Sequence, residues 1–354
     1  MAARIGIIGT GWWTTYAHLP SLATYPDAQI AAIADPNAER LNAAADAFDV
    51  SRRHTDYRTM LDGERLDGVI VATPHATHYE IAREVLGRGL GLMLEKPMVL
   101  RASEARDLCA LARESGAPLV VGYPYHFVPQ HAALRARIAT GALGQLQLVD
   151  NLFASMVLEY YRANPLAYAK VFDWEVTGPL STTYSDPQVA GGGQGHLQVT
   201  HSAALLLWLT GLRATEVAAF MARFDLRVDL CDAISVRFAG GTVGTLASTG
   251  GIAAGQSGHQ QLEYRIYGSD GYALLDPMAG TCAIHRNDGQ IETLDPTPPD
   301  ARYPREATSR HLADLLLGRA ENRSDGEIGL RTVELLEAAY RSADEGRIVN
   351  VEEL

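Results

Sequence analysis

The chain has 354 residues, 47% hydrophobic and 20% charged, with a formal net charge of −12. That length points to two domains at ~100–200 residues each, and the absence of a Lys/Arg cluster to neutralise a phosphate backbone argues against nucleic acid as a partner. Three widely spaced cysteines, Cys109, Cys231 and Cys282, suit neither a disulfide framework nor a zinc site, so a reducing cytoplasm and no metal are expected.

The first strand pattern begins at Arg4, which leaves no room for a signal peptide, and the longest apolar run, Ala203–Leu209, falls far short of the ~18 residues of a membrane span. From Arg4 to Val121, apolar runs at Ile5–Ile8, Ile30–Ala34, Gly68–Ala72, Leu90–Leu94 and Leu119–Gly122 alternate with amphipathic stretches. That alternation predicts an α/β Rossmann domain, residues 1–122, on an open parallel sheet. Beyond Gly122 the strand patterns follow one another with few helices between them: Gln147–Phe153, Glu216–Phe220, Ala233–Phe238, Thr242–Ser248, Leu262–Tyr267 and Tyr272–Leu275. They predict an α+β domain, residues 123–354, on a largely antiparallel open sheet. Pro296, Pro298 and Pro299 mark a loop before helical spacing at Leu312–Leu317 and Leu330–Tyr340, where terminal helices are free to pack back on the first domain.

Gly6-x-x-Gly9-Thr10-Gly11-Trp12-Trp13-Thr14 follows the first apolar run and opens a helical stretch. This is the context of a dinucleotide turn, in which Gly9 and Gly11 let the backbone approach a pyrophosphate at a helix N-terminus. Thr14 stands where the fingerprint has its third glycine. Asp35 closes the next strand run, where a carboxylate accepts hydrogen bonds from the adenosine ribose and repels a 2′-phosphate, so NAD is preferred to NADP. The competing reading makes the glycines a plain turn and Asp35 a helix cap before Pro36. Of Trp12 and Trp13, one could cover the cofactor while the other packs, or both could pack.

Glu95-Lys96-Pro97 follows the run Leu90–Leu94, so Lys96 emerges at the carboxyl end of a parallel strand, where open α/β sheets place ligands. Desolvation there lowers a lysine toward working pH and makes it a usable acid or base. A solvated lysine beside a turn proline is the plainer alternative.

These motifs, with Thr73-Pro74-His75-x-x-His78, Tyr123-x-Tyr125-His126-Phe127, Gly191-Gly192-Gly193, Gly268-Ser269-Asp270-Gly271 and Glu337-Ala338-Ala339-Tyr340, resemble the glucose-fructose oxidoreductase/inositol dehydrogenase (Gfo/Idh/MocA) family in order and spacing over nearly the whole chain. The resemblance implies a Rossmann domain joined to an antiparallel-sheet domain, a homodimer or homotetramer, and action on sugars or cyclitols. It further implies that Thr73, Pro74, His75, His78 and Glu95 line the cofactor, and that Lys96 is the catalytic lysine with a cis bond to Pro97. The family pattern also carries an Asp and a His four residues apart after the glycine run; here those positions are Leu197 and His201. On a helix over Gln194–Trp208, residues 197, 198 and 201 share a face, so Gln198 could present an amide where a carboxylate is usual. An amide relays no proton, which leaves Lys96 with most of the acid/base work and His201 acting alone or binding a hydroxyl.

His126 stands where relatives often carry Arg and is a candidate for substrate contact, as is Tyr125; a packed loop is the alternative. Tyr160, Tyr161, Trp174 and Tyr184 could stack on a sugar face or fill a core. Taken together, the residues predict an NAD-dependent oxidoreductase acting on a secondary alcohol of a sugar, cyclitol or glycoside. Two other functions are open: a redox-neutral glycosidase or lyase using bound NAD, and a non-enzymatic cofactor-binding regulator, hinted at only by Leu197.

Overall fold

The computed structural model describes residues 2–172, 174 and 176–354. The chain forms two compact units. The first takes 1–124, 165–183 and 305–330, and the second takes 125–164, 184–304 and 331–354. Two stretches beyond residue 122, 165–183 and 305–330, therefore belong with the first unit.

The first unit is built on strands β1 (Ala3–Ile8), β2 (Ala28–Ala34), β3 (Arg53–His54), β4 (Gly68–Val71), β5 (Gly91–Leu94) and β6 (Leu119–Val121). They pair in the order β3-β2-β1-β4-β5-β6, every pair parallel. β4, β5 and β6 are buried along their whole length, which is why they read as continuous apolar runs: helices cover both faces of such a sheet. Ile5, Ile7, Ile33, Ile70, Met93 and Val120 share one core with Leu19, Leu22 and, from the Ala307–Leu316 helix, Leu312 and Ala313. The order reverses between β1 and β4, which is where a doubly wound sheet leaves its ligand crevice.

The second unit carries β7 (Leu146–Ala154), β8 (Ala214–Ala222), β9 (Cys231–Phe238), β10 (Val243–Thr249), β11 (Gln261–Gly268), β12 (Gly271–Asp276), β13 (Thr281–Arg286), β14 (Ile291–Thr293) and β15 (Val349–Asn350). Their order is β14-β13-β12-β11-β7-β10-β9-β8-β15, antiparallel throughout except for the β7–β10 pair. Alternating burial along β9 and β10 gives the sheet one covered and one open face. The Thr200–Thr210 helix is buried from Thr200 to Leu209, so its apolar surface runs right round rather than along one stripe. Tyr264 of β11 donates to the Ser202 carbonyl at 3.1 Å and ties that helix to the sheet.

Candidate active site

At the end of β1 the chain turns on Gly9, whose φ is 92°, and a Cβ there would stand 2.5 Å from the Ala72 carbonyl oxygen. Only glycine fits that position. At Gly11 a Cβ would meet nothing within 4 Å, so the space over the turn is open, as close approach of a pyrophosphate requires. Thr10 donates its N–H to Asp35 Oδ2 at 2.9 Å, and Thr14 donates its hydroxyl to the Gly9 carbonyl at 2.8 Å, stitching turn to helix where a third glycine is usual. The helix opens at Trp12 and runs through a π turn over Thr14–His18, a geometry often found at functional sites. Asp35 also accepts from Asn37 N at 2.8 Å and pairs with Arg40 at 3.2 Å. The open glycine turn and the carboxylate at the end of β2 fit a dinucleotide.

Trp12 is buried, edge to face with Trp13 at 5.2 Å and close to Phe172 and Trp174 at 5.6 and 6.2 Å. Trp13 donates its indole N–H to Glu95 Oε1 at 3.0 Å, which links the glycine turn to the end of β5. His18 Nε2 lies 3.1 Å from the same carboxylate, and its Nδ1 lies 2.6 Å from the Ser309 hydroxyl. The Lys96 N–H donates to Glu95 Oε2 at 3.1 Å. Burial alone would raise the Glu95 carboxyl, but the hydrogen bond and charge of His18, with Lys96, outweigh it and hold the group below the ordinary carboxylate range. Lys96 itself is pushed down to about 8 by burial, against the opposing pull of Glu95. Its bond to Pro97 is cis.

Thr73 and Pro74 lie on the turn after β4, Thr73 half-buried and Pro74 exposed, and His75 is buried. His78 is fully buried; its Nδ1 and Nε2 each lie 2.9 Å from a carbonyl oxygen, those of Pro97 and Thr73. Burial keeps its ring toward the neutral form, against the pull of those carbonyls. With one N–H in the neutral ring, His78 donates to one of the two carbonyls and lies against the other.

In the second unit the Gln194–Trp208 expectation divides: Gly195–Val199 is a π turn and Thr200–Thr210 an α-helix. Leu197 and His201 are buried and Gln198 half-buried. The His201 ring stands edge-on to Tyr125 at 6.1 Å and to Tyr303 at 6.0 Å, and those two tyrosines meet at 5.2 Å. His126 is a correction: it is fully buried and stacked on Trp208 at 4.9 Å, and burial depresses it to about 3. It is a neutral packing residue rather than a stand-in for a cation. The aromatic group also divides, with Trp174 against Trp12 and Phe172 in the first unit and Tyr160 against Tyr184 at 5.2 Å in the second.

Among known families, the model described as the oxidoreductase family, NAD-binding Rossmann fold, matches residues 3–123, and the GFO/IDH/MocA C-terminal domain matches 131–274. The chain belongs to the GFO/IDH/MocA family. This GFO/IDH/MocA chain is 30% identical to the rhizopine catabolism protein MocA of Rhizobium meliloti, over 60% of the chain and 59% of that relative. It is 25% identical to D-apiose dehydrogenase of Paraburkholderia graminis, over 98% of the chain and 89% of that protein. The solved oxidoreductase domain protein from Kribbella flavida shares its fold, with a TM-score of 0.82 at 23% identity over 99% of this chain and 100% of that one. The expected two-domain fold is borne out, and the first domain is of the NAD-binding Rossmann type. No helix among the described residues is long and apolar enough to cross a membrane.

Three residues of this family member have no signature in the sequence. His18 reaches Glu95 from a helix 77 residues upstream, Tyr303 meets His201 across a separation of 102, and Asp229 grips the glycine run. None has a local pattern, because each is defined by a partner remote in sequence.

Proposed function

We propose that the protein interconverts a secondary alcohol of a sugar, cyclitol or glycoside and its ketone, with Lys96 as the general base in oxidation and the general acid in reduction. The observation that carries this reading is a half-buried lysine at the carboxyl end of β5 whose burial brings it down to about 8, a poise suited to proton transfer in either direction. When bound, NAD supplies the hydride acceptor. Lys96 in its neutral form takes the hydroxyl proton, while Glu95, held by Trp13 and His18, fixes the main chain that carries the lysine. His201, flanked by Tyr125 and Tyr303, and Gln198 belong to the second unit and are assigned by this reading to substrate hydroxyls. No carboxylate stands at position 197 to relay a proton, so the lysine exchanges its proton with water. The sugar class is supported by likeness to D-apiose dehydrogenase.

A homodimer or homotetramer accompanies this reading. Val243, Leu148, Tyr267, Tyr272 and His285 stand in register across adjacent strands, with Leu148 and Val243 exposed and Tyr272 stacked on Tyr267 and His285 at 5.4 and 4.6 Å. A second copy of the chain on this open face would cover that row.

The deciding experiment incubates the protein with NAD and a panel of sugars, cyclitols and glycosides and follows NADH. Lys96→Ala should lower kcat by roughly 10²–10⁴-fold. Oxidation should rise with pH to a plateau above about 8, because the base is the neutral amine. Undiminished turnover in Lys96→Ala would remove the lysine from the chemistry. Glycoside cleavage without net NADH would replace the dehydrogenase by a redox-neutral lyase.

A further inference from the structure

The run Gly191-Gly192-Gly193 has no part in the chemistry proposed above, yet its backbone is gripped from two sides. A Cβ at Gly193 would run into the Asp229 carbonyl oxygen, and one at Gly192 or Gly195 into the Tyr340 hydroxyl. Asp229 Oδ1 accepts from Gly193 N at 2.7 Å and from the Tyr340 hydroxyl at 2.9 Å, and its Oδ2 accepts from Gly195 N at 2.8 Å. The Asp229 carbonyl accepts from Gln194 N at 2.9 Å. Tyr340 in turn accepts from His196 N at 3.3 Å and stacks on the His196 ring at 4.3 Å. On the other side, the buried Gln194 amide donates to Ser248 at 2.6 Å and accepts from Tyr161 at 2.9 Å.

These contacts meet at the start of one helix. Gly195–Val199 is its π turn, and the α-helix that carries His201 begins at Thr200. The first N–H groups of a helix have no partner within it and are ordinarily met by the residue that precedes them. Gln194 holds that place and makes no side-chain cap bond. A carboxylate 34 residues further along the chain takes over instead, in the position where negative charge favours a helix N-terminus.

We propose that Asp229 is a positioning residue for substrate binding: by holding Gly193 and Gly195 it sets the start, and so the axis, of the helix that presents His201. This rests on the reading that His201 meets the substrate. Acting through the backbone, Asp229 needs no contact with the reacting atoms. Its loss should therefore weaken sugar turnover and leave the dinucleotide site in the other unit alone.

The test compares wild type, Asp229→Asn and Tyr340→Phe with three readouts: amide hydrogen exchange across residues 191–201, NAD affinity from tryptophan fluorescence, and kcat and KM for a sugar that yields NADH. For Asp229→Asn, exchange at 193–199 should accelerate while the rest of the chain keeps its protection. Sugar kcat/KM should fall roughly 10- to 100-fold, the factor that accompanies loss of a hydrogen bond to a charged acceptor. NAD affinity should stay within about twofold. Tyr340→Phe, which keeps the carboxylate and removes one donor, should shift the same readouts in the same direction by less. Unchanged exchange at 193–199 in both variants overturns the proposal, whether or not a sugar substrate is found. So does accelerated exchange with unaltered sugar kcat/KM, or a parallel loss of NAD affinity, which would mark Asp229 as a general fold stabiliser. A wild type that is silent toward every sugar, while Asp229→Asn still opens 193–199, overturns the functional reading of His201 and leaves the anchoring intact.

Discussion

Two glycine segments open two helices in this molecule, and Gly11 in the first serves the opposite purpose from the glycines of the second. At Gly9-Thr10-Gly11 the absent side chain at position 11 leaves space outside the backbone, where a Cβ would meet no atom within 4 Å. At Gly192, Gly193 and Gly195 the absent side chains let the backbone close against Tyr340 and Asp229. Both helices carry a π turn near their start, and in both a buried carboxylate from elsewhere accepts a main-chain N–H: Asp35 from Thr10 and Asp229 from Gly193 and Gly195. A glycine run in sequence therefore announces a close approach without saying whether a ligand or the protein itself makes it.

Alanine scanning separates the two. Gly193→Ala should cost about 3 kcal/mol or more in stability, because the colliding atom is backbone and cannot rotate away; a thermal melt within a degree of wild type would contradict this. Gly11→Ala should leave the melting curve of the apo protein within about 0.5 kcal/mol and weaken NAD by roughly tenfold or more, since the new methyl group occupies the pyrophosphate approach. Isothermal titration with NAD reads that difference directly.

The carboxylates give smaller and more diagnostic effects. Asp35→Ser removes the group that excludes a 2′-phosphate and frees Arg40, now paired at 3.2 Å, so NADP affinity should improve roughly tenfold relative to NAD. An unchanged NAD/NADP ratio would shift the discrimination elsewhere. Beside Asp229 lies a second carboxyl, Asp232, pushed well above its ordinary value by burial and then by the charge and hydrogen bond of Asp229. A group raised on folding contributes its full stability only below the unfolded aspartate value, ~3.9, and that contribution is lost as pH climbs through the raised folded value. Asp232→Asn keeps the neutral hydrogen-bonding form at every pH. Its melting temperature should match wild type near pH 4 and exceed it by about 2 °C at pH 8, and superimposable curves over that range would show that Asp232 does not carry the proton.

The first sheet was legible because β4, β5 and β6 are buried from end to end and so spell themselves as unbroken apolar runs between amphipathic helices. β7 through β12 were legible through alternation. β3 and β15, of two residues each, are too short to carry a period, and β13, with Thr, His and Arg among its residues, carries little hydrophobic signal. The extent of the helix after the glycine run is legible in its apolar spacing, but its π turn, Gly195–Val199, has no sequence signature. His126 stays open between substrate contact and packing in sequence for a similar reason: its partner, Trp208, lies 82 residues away, and a buried aromatic stack leaves no mark beside the histidine. Lys96 stood out because the end of a parallel strand gives a lysine a chemical environment that can be inferred from its neighbours.

The first unit is assembled from three separate stretches of chain. Val121 exchanges main-chain and side-chain bonds with Ser324, Asn322 donates to the Leu119 carbonyl, and Leu312 and Ala313 complete the core beneath Ile70 and Met93. A gene cut after residue 124 would release a sheet with a bare edge and an uncovered floor, so the nucleotide-binding half is no cassette to be lifted out and fused to another protein. Recombination breakpoints between residues 124 and 305 meet the same constraint, because they part stretches that share one core.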